Sequence, residues 1–388
     1  MRPQRPWAAI AAVTILNLPL GSLYAFSIFL KPIEAELGLS RSSLSLAFGL
    51  ATVGFSAGML AAPLLFGRLS AERLIALSGA ATVSGILLSA TANGLIQLLI
   101  GYGVLFGLGG GGAYIVAQQS VNMLVTTRKG LVNGYIVGLY PAGAMVAAPL
   151  FGWANGAFGY RTTLLALACV LLVTALMAIA LLRHAGAVLP RRTASAASAE
   201  GRALIFARMF TVFFVAAAAG LTVLSQAAGI VAAYGGTTAM ALTATTAITG
   251  GIAFARLSGG WLTDRFPVPL VAAGAQGFAL MGAVMLTLFP SPLVAAVALG
   301  MVGMGYGFIS GAMAGGIAIY WSPEAYGRVA SRLYIAWCIA AVTLPVLAGR
   351  LYDLTHGYST TVIIAGCGNL LGVLVALTLP WGKSRAVG

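Results

Sequence analysis

Residues 183–203 read RHAGAVLPRRTASAASAEGRA, the longest polar break in a chain that is otherwise a succession of apolar runs. The stretch is basic, rich in Ala and Ser, and has no apolar periodicity, so it reads as a linker. On either side lie apolar segments of about 20 residues or more, the length that carries an α-helix across a bilayer. Six precede it, at 7–31, 43–67, 74–91, 94–125, 130–154 and 160–183. Six follow, at 204–234, 238–263, 268–288, 292–321, 326–351 and 358–381. The expected fold is an all-α membrane protein of twelve transmembrane helices in two six-helix pseudo-symmetric halves. One bundle spans residues 1–183, the linker 184–203, and the second bundle 204–388.

Composition agrees. The chain has 388 residues, 60% of them hydrophobic and 7% charged, with a mean hydropathy of +0.99. Soluble domains carry about 25% charged residues, and no water-soluble fold of this size can hide so much apolar surface. The formal charge of +14 invites a nucleic-acid partner, but its distribution argues against one. With the breaks read as alternating sides, sixteen of the 21 Lys and Arg fall on one side and only Lys31, Arg41, Arg161 and Arg350 on the other. That asymmetry is the positive-inside rule. It places a multi-pass protein in a bacterial inner membrane with both termini cytoplasmic. The first apolar run is too long for the core of a signal peptide and reads as a retained helix. Cys169, Cys338 and Cys367 lie in apolar runs at unrelated spacings, which gives neither a metal pattern nor a disulfide framework. No cofactor or metal is expected. An intramembrane enzyme is excluded by the lack of a catalytic constellation at depth.

An internal repeat supports two halves. Gly107-Leu-Gly recurs as Gly303-Met-Gly, Gly152 as Gly349, and Gly159-Tyr-Arg-Thr-Thr as Gly357-Tyr-Ser-Thr-Thr, at separations of 196, 197 and 198 residues. Parallel repeats around a site at the bilayer midplane are a transporter architecture. The run Gly107-Leu-Gly109-Gly110-Gly111-Gly112 formally matches Gly-x-Gly-x-x-Gly. A dinucleotide site needs a preceding strand, which is missing, so the run reads as close helix contact and flexibility in the fourth segment. Pro141, Pro149 and Pro345 are expected to kink their helices.

One charge stands apart. Arg256 lies about two turns inside the eighth segment, flanked by Ile252, Phe254 and Leu257. A guanidinium at that depth costs roughly 2.5–3.5 kcal/mol on insertion scales, so it should face a partner or a watery cavity. The carboxylates Glu34, Glu36, Glu72, Glu200, Asp264, Glu324 and Asp353 all lie at or near polar breaks. Arg256 therefore reads as a receptor for an anionic ligand, and a planar guanidinium suits a carboxylate. The competing readings are snorkelling to the interface beside Arg265 or pairing with Asp264. Tyr114, Gln118 and Asn122, spaced four apart, share one helix face. With Asn17, Tyr24, Tyr140 and Gln226 they can orient a carboxylate, or simply bond between helices as membrane bundles do.

The break after the eighth segment, Gly260-Trp-Leu-Thr-Asp264-Arg265, resembles the loop signature of the major facilitator superfamily. Its counterpart Gly67-Arg-Leu-Ser-Ala-Glu72-Arg73 is degenerate. Within the superfamily the chain is similar to the oxalate:formate antiporter and monocarboxylate transporter branch. The likeness rests on Gly21-Ser-Leu-Tyr24, Lys31-Pro32, Leu37-Gly38 and Ala47-Phe48, and on Tyr114, Ala117, Asn122, Lys129-Gly-Leu131, Gly134 and Tyr140. Arg256, eight residues before Asp264, occupies the spacing at which that family places its substrate-binding arginine. The resemblance implies a secondary transporter of small organic anions, with Arg256, Tyr24, Tyr114, Gln118, Asn122 and Tyr140 at the substrate and Asp264, Arg265 and Arg332 in the gating loops. It also implies a monomer.

Departures from the family refine the expectation. The family's segment-eleven lysine is missing, and Arg332 falls one residue short of it, about 100° around the helix. Arg332 is expected to pair with Asp264, a place in the site being the other reading. One cation suits a monoanion better than a dianion, and Met304 and Phe308 replace the family's aromatic and tyrosine wall. A small monocarboxylate is the expected substrate. The aspartate that precedes the arginine by one turn in proton-coupled relatives is Ile252 here, so exchange or uniport is expected over proton symport. The alternatives are a proton-driven exporter of drug-like amphipathic solutes and, from another class, a non-transporting membrane receptor.

Overall fold

The structure, a computed structural model, describes residues 4–190 and 199–381. The centre of the expected linker and Arg2, Arg191, Arg192, Lys383 and Arg385 lie outside the described residues. The helices are α1 (Pro6–Leu20), α2 (Ser27–Leu37), α3 (Arg41–Ala61), α4 (Ala71–Ala90), α5 (Leu95–Leu98), α6 (Gly107–Leu124), α7 (Lys129–Phe158) and α8 (Tyr160–Ala185). After the linker come α9 (Ala199–Ala233), α10 (Thr238–Thr263), α11 (Val268–Leu288), α12 (Pro292–Tyr320), α13 (Tyr326–Thr355) and α14 (Ser359–Leu377). Twelve spans among the described residues are long and apolar enough to cross a membrane, so the chain is a multi-pass membrane protein.

Helix starts follow local chemistry. Ser40, Thr237 and Ser291 each accept a backbone N–H three residues on, which satisfies a donor that the first turn would otherwise leave unpaired. The first span departs from one continuous helix. A 3-10 turn at Gly21–Ala25 separates α1 from α2, where Gly21 brings its backbone against the Tyr140 carbonyl too closely for any Cβ. The fourth span holds a second departure, a π-helical stretch at Leu99–Phe106 between α5 and α6. A Cβ on Gly101 would meet the Gly85 carbonyl at 2.7 Å and one on Gly103 the Leu50 side chain at 2.8 Å. The wide turn is thus packed between α4 and α3, and such turns often mark functional segments.

The chain divides into two compact units. One comprises Met1–Thr127, Leu139–Thr193 and Pro323–Arg332, the other Arg128–Gly138, Ala194–Ser322 and Leu333–Gly388. Compactness therefore cuts α7 and α13 near their starts rather than only at the linker.

The sequence repeat is also a repeat of contacts. In the first unit, Gly107 and Gly111 of α6 press on the carbonyls of Ala51 and Phe55 of α3. In the second, Gly303 of α12 packs on Ile248 of α10, and Gly307 approaches the Ile252 carbonyl, which a Cβ would meet at 2.7 Å. The glycines are offset by 196 residues and their partners by 197, so each unit joins its second and fourth spans through the same small-residue seam.

Candidate substrate site

Arg256 sits in α10, seven residues before its end at Thr263, and is 5% exposed. Seven residues of helix are about 10 Å, and so small an exposure rules out a side chain snorkelling to bulk water. The α10 backbone is held here by glycines of two other helices. A Cβ on Gly134 of α7 would meet the Arg256 carbonyl at 2.7 Å, and Gly311 of α12 presses on the same oxygen.

Two of the acceptors that hold the guanidinium are uncharged. Nη1 donates to the Val137 carbonyl at 3.1 Å and Nη2 to the Tyr306 hydroxyl at 2.9 Å. The Tyr306 ring centroid lies 5.2 Å from the guanidinium carbon, so the ring face adds a cation–π attraction. The Val137 carbonyl is available for a local reason. Its helical partner would be the N–H four residues on, and that residue is Pro141, which has none. The proline expected to kink α7 thus presents a carbonyl to the arginine. The same chemistry recurs at Ile28, whose acceptor is released by Pro32 and taken by Asn155 Nδ2 at 3.4 Å. Tyr306, 1% exposed, needs Gly220 of α9 beside it, because a Cβ there would overlap the base of the ring.

Among the described residues Asp264 pairs with no arginine. Its two oxygens accept the N–H groups of Gly130 and Leu131, each at 2.8 Å, at the start of α7. This is a carboxylate at a helix N-terminus, where unpaired amides and the macrodipole favour negative charge. The pairing expected with Arg332 is therefore replaced by backbone amides, and Arg332 is exposed. Arg265 stacks on Trp261, 3.9 Å from the ring centroid.

In the first unit the three expected tyrosines do come together. Tyr140 lies 5.3 Å from Tyr114 and 6.2 Å from Tyr24, both edge-on, with Phe55 5.5 Å from Tyr140 and 5.6 Å from Tyr114. Tyr114 and Tyr140 are buried and Tyr24 is half-buried. Gln118 instead donates to the Tyr326 hydroxyl at 2.9 Å, and Asn122 donates to the Gln118 carbonyl at 2.9 Å. Next to them Gln119, absent from the sequence reading, clasps the start of α13. Its Oε1 accepts the Gly327 N–H at 2.6 Å and its Nε2 donates to the Pro323 carbonyl at 2.8 Å. Tyr306 and Gly220 were also missed. The released Val137 carbonyl had a signal, a proline four residues downstream.

Comparison with known proteins agrees with this architecture. Residues 11–317 match the Major Facilitator Superfamily. The chain is 26% identical to monocarboxylate transporter 11 of Mus musculus over 408 aligned positions, covering 96% of this chain and 87% of that one. It is 29% identical to the uncharacterized MFS-type transporter YhjX of Escherichia coli (strain K12) over 139 residues, a match that spans 35% of that protein's length. Among solved structures it is similar to the transporter FucP in its outward conformation, with a TM-score of 0.77, 14% identity, and coverage of 97% of this chain and 99% of that one. The proton:xylose symporter XylE gives a TM-score of 0.77 at 15% identity over 98% and 97% of the two chains. With the family match covering most of the sequence and twelve spans in the fold, the chain belongs to the major facilitator superfamily of membrane transporters.

Proposed function

We propose that this transporter carries small monocarboxylate anions by alternating-access exchange or uniport, with Arg256 binding the carboxylate. The observation that carries this reading is a guanidinium 5% exposed within a membrane span, with bonds to Val137 and Tyr306 accepted by uncharged oxygens. Those acceptors orient the cation without cancelling its charge. The planar fork of a guanidinium matches a carboxylate, which can accept two parallel N–H bonds from it. Tyr24, Tyr114, Tyr140, Gln118 and Asn122 are proposed as further substrate contacts. The likeness to monocarboxylate transporter 11 along nearly the whole chain supports the substrate class.

Ile252, one turn before Arg256, is apolar and buried, which favours exchange or uniport over dedicated proton symport. The bound carboxylate neutralises Arg256, so the loaded carrier reorients with less charge in the low-dielectric region. During that step the Asp264 contact with the start of α7 opens and re-forms. The charge asymmetry of the breaks supports a bacterial inner membrane with both termini cytoplasmic.

Counterflow in proteoliposomes tests the reading, with formate, acetate, lactate, pyruvate and oxalate as candidates. The expected result is uptake of a monocarboxylate in preference to oxalate, abolished by Arg256→Gln and unaffected by collapsing the pH gradient. Uptake of cationic dyes with no carboxylate transport would replace this reading with the amphipathic exporter.

A further inference from the structure

The first unit carries a charged groove that the transport reading leaves unused. Glu72, Arg73 and Ala76 at the start of α4 and Leu176, Ile179 and Arg183 near the end of α8 line a groove of about 360 Å³. The two helices run antiparallel here, so both arginines mark the same end of the pair. Both are exposed, whereas Glu72 is half-buried. The same end of α8 carries His184, which bonds Arg5 and meets the Trp7 ring edge-on at 5.7 Å. Trp7 is 59% exposed. An exposed tryptophan on a membrane helix marks the level of the lipid headgroups. Below that level α8 shows Leu172, Val173 and Leu176 to its surroundings, all exposed.

We propose that this groove binds an anionic phospholipid, with Arg73 and Arg183 holding the phosphodiester and the exposed aliphatic face of α8 receiving an acyl chain. Two guanidiniums against one carboxylate leave a single positive charge, which complements a headgroup of net charge minus one. Arginine suits the phosphate because its planar fork donates two parallel bonds. The apolar continuation selects a lipid over free phosphate. Glu72 disfavours an uncompensated second anion and sets the preference for a monoanionic headgroup.

Native mass spectrometry of the full-length protein, after exposure to equimolar phosphatidylglycerol and phosphatidylcholine, reads this directly. Preferential retention of phosphatidylglycerol is expected. Each of Arg73→Gln and Arg183→Gln should lower it about fivefold, the effect of one basic residue near an anionic surface. Glu72→Gln should raise retention, and Lys31→Gln, an exposed charge at the other end, should leave it unchanged. Equal retention of the two lipids overturns the proposal, as does unchanged retention in the double arginine variant. A loss of phosphatidylglycerol in Glu72→Gln would overturn it too, by showing that the carboxylate holds a headgroup amine. Should the double variant not fold, salt decides on the wild type. Phosphatidylglycerol retention must fall with ionic strength while phosphatidylcholine retention does not, and parallel behaviour refutes the site.

Discussion

Replacing Asp264 by Asn should release the start of α7. Both carboxylate oxygens accept amide N–H groups at 2.8 Å, from Gly130 and Leu131. Asparagine keeps one acceptor, but its Nδ2 turns a donor toward the second N–H. The lost bond is to a charged acceptor and is worth about 1.5–3 kcal/mol. Removing negative charge from the helix N-terminus adds about 0.3–1 kcal/mol in the same direction. Taking the bond alone, the population with this contact separated should rise about ten- to 150-fold, at about 1.4 kcal/mol per factor of ten. Thr263 offers a reporter. It is 1% exposed, and its hydroxyl faces Gly130 at the same seam. In a variant with Cys169, Cys338 and Cys367 replaced by Ser, Thr263→Cys is expected to react slowly with a hydrophilic maleimide. Adding Asp264→Asn should accelerate that reaction by at least about tenfold. A rate within about twofold of the parent, at an unchanged melting temperature, would refute the idea that this carboxylate holds the contact closed.

Two further substitutions address the groups that hold Arg256 and α13. Gly220→Ala forces a methyl group into the base of the Tyr306 ring, an overpacking of about 1–3 kcal/mol. It should raise KM for the proposed carboxylate substrate about tenfold, and Tyr306→Phe should shift KM in the same direction; unchanged values in both would remove Tyr306 from the proposed site. Gln119→Ala leaves the Gly327 N–H and Pro323 carbonyl without their side-chain partner, at about 1–3 kcal/mol for the two bonds. Thermal unfolding should show the loss, with Gln119→Glu closer to wild type because it still accepts from Gly327; equal melting temperatures for wild type and Gln119→Ala would argue against the clasp.

Most of the fold was legible because length and hydropathy suffice to mark a membrane helix. The twelve expected segments match the twelve spans, and 268–288 matches its helix end to end. The interruptions were less legible. Neither the 3-10 turn at Gly21–Ala25 nor the π-helical stretch at Leu99–Phe106 disturbs the apolar run that betrays a span. Arg256 stood out because a charge in an apolar run is rare, and the burial followed. Its holders did not stand out, since a backbone carbonyl has no letter in the sequence and Tyr306 is one tyrosine among thirteen. The destination of Asp264 was misread for a related reason. Spacing suggests charged side chains as partners, whereas the acceptor-hungry amides at a helix start are anonymous in sequence.

The carbonyl that Pro141 releases ties two properties of α7 together. A prolyl ring lets a helix bend at that point, and here the oxygen it releases is also an electrostatic anchor for Arg256 of α10. Any flexing of α7 that moves the Val137 carbonyl relative to α10 would stretch or shorten its bond to Arg256. Under the proposed function, such a movement would tune the affinity of Arg256 for its anion without any change in protonation, and an anion that draws Arg256 toward itself would pull on α7 in return.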